Sequence, residues 1–218
     1  MIRFVVPALM LYCTSAIAKE TLVKNVAEFD VAVKDAKPGD AIVLANGEWR
    51  DAELVFRGEG KDRETRITLR AETPGRVVLT GKSRLRIGGR NLTVRDLLWK
   101  DSTAESEIIA FRVDSKALAS ACGLLECAVI GDSPYTERKW VSVYGFDNWV
   151  SKCRFEGKQS AGTLLVVWLQ NTSYEYATIQ DNFFGPRSKL GKNGGEIIRV
   201  GDSKSSHVRS GALGTPLA

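Results

Sequence analysis

The sequence predicts an all-β chain: a right-handed parallel β-helix with a short N-terminal capping helix, read as truncated at its C-terminal end. Three observations carry this. Beyond one helical stretch, the apolar residues come in runs of four to six separated by Gly, Asp, Asn and Arg, as in AIVLANG at 41–47, ELVFRG at 53–58, RITLRA at 66–71 and RVVLTG at 76–81. The gaps between runs are too short and too polar to hold the crossover helices of a βαβ sheet. Four segments also align internally, beginning at Val94, Leu124, Val150 and Ile179, with spacings of 30, 26 and 29 residues.

Each of those segments is followed by a second apolar strand, at 108–113, 140–145, 163–169 and 196–201. A repeat of this size, with several strands and no helix, is one coil of a solenoid. Coils stack at the inter-strand spacing of about 4.8 Å, so equivalent positions form ladders. Leu97, Cys127, Cys153 and Asn182 are expected to be one such ladder. The helix is expected over about 26–36, with Asn25 as N-cap, Glu28 three residues on, and Phe29, Val33 and Ala36 along one face. Lys37-Pro38-Gly39-Asp40 ends it. Its place is over the open N-terminal end of the stack.

Composition narrows the function. The chain has 218 residues, 44% hydrophobic and 26% charged, which is one domain with a sizeable core rather than a disordered tail. Residues 1–18 read as an export signal, with a basic start at Arg3, an apolar stretch from Phe4 to Leu11, and Ala16-Ile17-Ala18 as the cleavage pattern. The expected location is the periplasm or the medium. No apolar stretch reaches the roughly 20 residues of a spanning helix. The net charge of +5 becomes +4 without the leader, since Arg3 is its only charge. That mild excess fits an acidic polymer, while the scattered acidic residues argue against nucleic acid. Cys122, Cys127 and Cys153 remain in the mature chain, an odd number without CxxC spacing, and are expected to be buried thiols.

Several stretches together resemble the polysaccharide lyase family 6 enzymes, the alginate lyases and chondroitinase B. They are AKPGDAIVLANGEW at 36–49, ITLRAETPGRVVLTG at 67–81, CRFEGK at 153–158 with Gly162 and the following LLVV run, and NGGEIIRVGDS at 193–203. The resemblance spans nearly the whole mature chain to about Val208. It implies β-elimination on a uronate polymer such as alginate or dermatan sulfate. In that chemistry a calcium ion neutralises the uronate carboxylate, a Lys takes the C5 proton and an Arg assists the leaving oxygen.

By the same resemblance Asn193, six residues before Arg199, matches the family's calcium-ligating Asn. No match follows for the family's calcium-binding Glu pair, its catalytic Lys or its RHG-like Arg. Residues 209–218 form a divergent tail, and the chain reads as the N-terminal portion of such a lyase, without catalytic residues of its own. A single neutral oxygen cannot hold an ion that takes about 6–8 oxygens, so calcium is expected in full-length relatives and not on this chain. Arg199 alternates with Ile198 and Val200, points outward, and offers a planar fork to a substrate carboxylate or to a salt bridge. Lys158 and Lys192 lie outside the motif that carries the family's base, and His207 reads as surface loop. The alternative to a lyase is an inactive β-helix that binds acidic polysaccharide along its outward Arg and Lys face. A stack cut within a coil would also leave an edge for self-association.

Overall fold

The structure is a computed structural model that describes residues 18–134, 138–169, 176–187 and 195–201. The chain winds as a parallel β-solenoid, with strands at Ala41–Leu44, Gly47–Arg50 and Glu53–Glu59 in its first coil. Coil two holds Ile67–Ala71, Val77–Thr80 and Arg84–Arg90, and coil three Leu92–Arg95, Leu98–Ser102 and Ile109–Ala110. Gly123–Leu125, Ala128–Asp132 and Val141–Val143 make coil four. Coil five is Asn148–Ser151, Arg154–Glu156 and Leu165–Val167, and coil six Ala177–Gln180, Phe183–Phe184 and Ile198–Val200. The first, second and third strands of successive coils pair in parallel to form three long sheets. Right-handed winding is the general rule for parallel crossovers.

The internal repeat appears in the register itself. Val94, Leu124, Val150 and Ile179 are direct partners in the first sheet, and Ile109, Val141, Leu165 and Ile198 are partners in the third. Leu97, Cys127, Cys153 and Asn182 stack at one corner as expected, where the backbone oxygens of Leu97, Cys127 and Cys153 each accept from the chain one coil on. Cys122, Cys127 and Cys153 are buried free thiols. Burial pushes Cys122 and Cys153 up to about 11, which keeps them as unreactive apolar filling. Inside the second sheet Trp49, Leu79, Trp99, Val129, Phe155 and Phe184 form a continuous interior column.

Two features of the chain turn its corners. Asp96, Glu126, Lys152 and Asp181 occupy the same corner of successive coils with φ of 66°, 53°, 54° and 56°. One left-handed residue swings the strand direction without lengthening the coil, and Asp accepts that conformation most readily. Asparagine ties other corners: Asn148 Oδ1 accepts from Cys122 N at 2.9 Å, while its Nδ2 donates to Ala119 O and Tyr144 O at 3.0 and 2.8 Å. Asn148 is buried, so Asn148→Ala would leave these groups unpaired and is expected to cost about 1–3 kcal/mol, measured by urea unfolding.

The helix spans Val26–Asp35 and buries Phe29, Ala32 and Val33. Asn25 accepts from Glu28 N at 2.9 Å and Glu28 accepts from Lys24 N at 2.7 Å, closing the helix start from both sides. A short strand, Glu20–Val23, precedes it and pairs with Ala41–Leu44, an element that the pattern of apolar runs does not reveal. Gly47–Arg50 and Arg84–Arg90 are likewise strands that the pattern hides, because charged residues on their outer faces break the apolar runs.

Candidate functional site

The third sheet carries the feature that stands apart from packing. On its outer face Arg112, Tyr144 and Trp168 form a column across coils three, four and five. The Arg112 guanidinium lies 3.9 Å from the Tyr144 ring centroid, and the Tyr144 and Trp168 rings stack at 5.7 Å with planes 7° apart. Glu107 fixes the lower end, accepting from Arg112 Nη2 at 3.4 Å and from Tyr144 Oη at 3.2 Å. Burial and the Glu107 carboxylate push the Tyr144 phenol up to about 12, so it stays protonated and donating. Lys139 Nζ stands 5.6 Å over the Trp168 ring.

Cations outnumber carboxylates around this column. Arg84 and Arg86 share Glu53 at 2.8 and 3.3 Å, and Arg57 and Lys139 have no carboxylate partner among the described residues. Ser142 Oγ and Trp168 Nε1 are buried within this packing. Tyr144 is buried between Arg112 and Trp168, which leaves the half-buried Trp168 and the forked cations as the groups able to hold a sugar ring bearing a carboxylate.

Arg199 belongs to the same face, as the alternation in its strand requires, and it partners Val166 in register. Its Nη2 is 2.8 Å from Glu196 Oε1, so the salt bridge forms within its own coil rather than between coils. Glu196 also accepts from Thr163 Oγ1 of coil five at 3.0 Å. Arg199 and this bonding hold the Glu196 carboxyl down at about 2. Asn193, Lys192, His207, residues 1–17 and the tail at 209–218 lie outside the described residues. Among the described residues no three His, Cys, Asp or Glu side chains converge as metal ligands. Among the described residues the carboxylate beside Arg199 is that of Glu196, already engaged by Arg199 and Thr163.

A second cluster lies beneath the corner between the second and third sheets, entirely enclosed. Lys158 Nζ donates to Arg138 O at 2.9 Å, Ser160 Oγ at 2.5 Å and Ala161 O at 3.3 Å, with Asp132 Oδ2 at 3.5 Å. Asp132 accepts from Trp140 Nε1 at 2.8 Å, Gln159 N at 2.7 Å, Ser160 N at 3.0 Å and the Ser160 hydroxyl. Burial opposes ionisation of Asp132, but those donors, Ser160 and Trp140 foremost, outweigh it and lower its pKa. Burial, against the attraction of Asp132, brings Lys158 down to about 8. A lowered lysine invites a role as base, yet this one has no exposed side-chain surface and all three protons are committed. It is an internal tie.

That assignment has a pH signature. Between about 8 and 10.5 the unfolded chain binds the Lys158 proton and the folded chain does not, so this group makes stability rise with pH across that window. The buried thiols and Tyr144 act the other way, and their effect cancels in a difference. The stability of wild type relative to Lys158→Met is therefore expected to rise from pH 8 to pH 10.5, read by urea unfolding at each pH. A flat difference would contradict it.

Fold and site together define a parallel β-solenoid whose third sheet presents a cation-rich, aromatic-lined outer face. The chain belongs to the chondroitinase B family, whose profile matches residues 23–213. Among solved structures it is similar to the PL6 family alginate lyase AlyGC, at 41% identity and a TM-score of 0.80, over 84% of this chain and 26% of that one. A mannuronic acid specific family 6 lyase from human gut microbiota aligns at 33% identity and TM-score 0.76, over 87% of this chain and 46% of the other. The PL6 lyase Pedsa3628 from Pseudopedobacter saltans aligns at 30% and 0.71, over 87% and 43%. The chain thus spans between about a quarter and a half of these relatives. A search of curated proteins returned no match.

Sequence reasoning finds Arg199 but misses the column and the buried cluster. The signal is present, since Arg112, Tyr144 and Trp168 each follow by four residues the equivalent buried positions Ile108, Trp140 and Leu164. Aligning the third of these strands from Thr163 hides it, because the true phase begins at Leu164.

Proposed function

We propose that this chain is the N-terminal, polysaccharide-holding part of an exported lyase that performs β-elimination on a uronate polymer. The observation that carries the reading is the Arg112–Tyr144–Trp168 column, placed on the same outer face as Arg199 in a member of this family. Aromatic faces take the apolar face of a sugar ring, and guanidinium forks take its carboxylate. Alginate is favoured over dermatan sulfate, since AlyGC is described as an alginate lyase and the gut enzyme as mannuronic acid specific.

Elimination removes the C5 proton of a uronate and breaks the bond from C4 to the leaving oxygen. Of the groups this needs, the chain offers forked cations that orient the carboxylate and aromatic faces that fix the ring. Lys158 is enclosed and Arg199 is held to Glu196, so neither is read as the base. Calcium, when bound in full-length members of this family, would supply neutralisation of the uronate carboxylate; Asn193 matches one of its ligands by motif, and calcium is not expected to bind this chain alone. The 218 residues alone are expected to bind oligomannuronate without cleaving it. Isothermal titration, with ultraviolet absorbance of the unsaturated product followed in parallel, tests both halves. Calcium-dependent absorbance growth would contradict the second half, and absence of binding the first. Signal-directed export is proposed from residues 1–18, and among the described residues no helix is long and apolar enough to cross a membrane.

A further inference from the structure

We propose that Arg187 is a positioning residue, which sets the strand Ile198–Val200, and with it Arg199, at its height on the binding face. The proposal rests on the reading of that face as the polysaccharide site. The Arg187 guanidinium joins two coils through four backbone carbonyls. Nη2 donates to Ser160 O at 3.2 Å and Gly162 O at 3.1 Å in coil five. Nη1 donates to Gly195 O at 2.7 Å and Glu196 O at 3.2 Å, directly before the strand that carries Arg199.

The anchor below is rigid. Ser160 is held through its backbone N–H and its hydroxyl by Asp132, and through its hydroxyl by Lys158, all three residues being buried. Above, the Glu196 carboxylate spans Thr163 of coil five and Arg199 of coil six. Contacts therefore run without a gap from the enclosed Asp132–Lys158 pair through Ser160 and Arg187 to Glu196 and Arg199. Sheet bonds such as Leu165 N to Ile197 O and Gly201 N to Val167 O pair coil six with coil five, and Arg187 adds the tie between coil six and the anchored Ser160 corner. A planar fork with donors on both arms can serve all four carbonyls at once, one more than the three donors of a lysine ammonium can reach. Displacing a binding group by even 1 Å weakens its hold on a ligand, which gives the link functional weight.

The test uses the full chain with Arg187→Lys, Arg187→Ala, Arg199→Ala and the Arg187→Lys/Arg199→Ala double variant. Hydrogen exchange by mass spectrometry reads peptides covering 196–201 against peptides covering 141–143, and titration with an oligomannuronate reads binding. For Arg187→Lys, exchange at 196–201 is expected to speed up about tenfold with 141–143 unchanged, and binding to weaken about tenfold. The double variant is expected to bind no worse than Arg199→Ala alone, since both changes remove the same contact. Millimolar methylguanidinium is expected to restore protection and binding to Arg187→Ala, which a merely destabilised protein would not show. Unchanged exchange at 196–201, or acceleration everywhere without rescue, would overturn the proposal. Rescued local protection combined with oligomannuronate binding that is absent, or indifferent to Arg199→Ala, would uphold the positioning role and overturn the reading of the face.

Discussion

Asp132→Ala is expected to destabilise the protein by about 3–5 kcal/mol, a large share of the roughly 5–15 kcal/mol that holds a domain folded. The change removes the counter-charge of a lysine with no exposed side-chain surface. It also strips the acceptor from Trp140 Nε1, two backbone N–H groups and the Ser160 hydroxyl. The Trp140 and Ser160 donors are buried and cannot turn to water. The double variant Asp132→Ala/Lys158→Met is expected to be less destabilised than the sum of the two single changes, because it removes both charges together. Chemical unfolding of the four proteins measures the coupling, and strict additivity would show that the pair does not act as a unit.

Trp168→Ala is expected to weaken oligomannuronate binding by about 2 kcal/mol, roughly thirtyfold. The side chain ends the aromatic column and stacks on Tyr144 at 5.7 Å, so its loss removes the accessible platform and loosens the buried ring beneath it. Arg112→Ala is expected to weaken binding too, and in addition to flatten its salt dependence, because it deletes a cation rather than a face. Binding across salt concentrations for the two variants separates these contributions. Equal salt dependence in both would mean that Arg112 serves only to pack against Tyr144.

Much of the fold is legible in the sequence because a solenoid writes its register into the chain. One ladder of apolar residues per sheet repeats at the coil length, so Val94, Leu124, Val150 and Ile179 align by their spacing and residue type alone. The capping helix is legible for a similar reason, since Asn25 and Glu28 mark its start and the Pro38-Gly39 turn marks its end. The site is harder to see. Outward residues of a solenoid are free to vary, so Arg112, Tyr144 and Trp168 share a column without sharing a residue type. Arg187 leaves no trace either, because its partners are backbone carbonyls at 160, 162, 195 and 196, which any sequence supplies. Lys158 can be noticed but not interpreted, since its enclosure depends on Arg138, Trp140 and Ser160, brought around it by the winding of the coils.

The central claim is that the outer face of the third sheet holds a uronate polymer. Isothermal titration of wild type, Trp168→Ala and Arg154→Ala with one oligomannuronate tests it most directly, Arg154 lying in the second sheet, away from the column. Wild type and Arg154→Ala are expected to bind alike, with Trp168→Ala roughly thirtyfold weaker. Equal binding by all three, or loss through Arg154→Ala alone, would place the polysaccharide on another face and contradict the account.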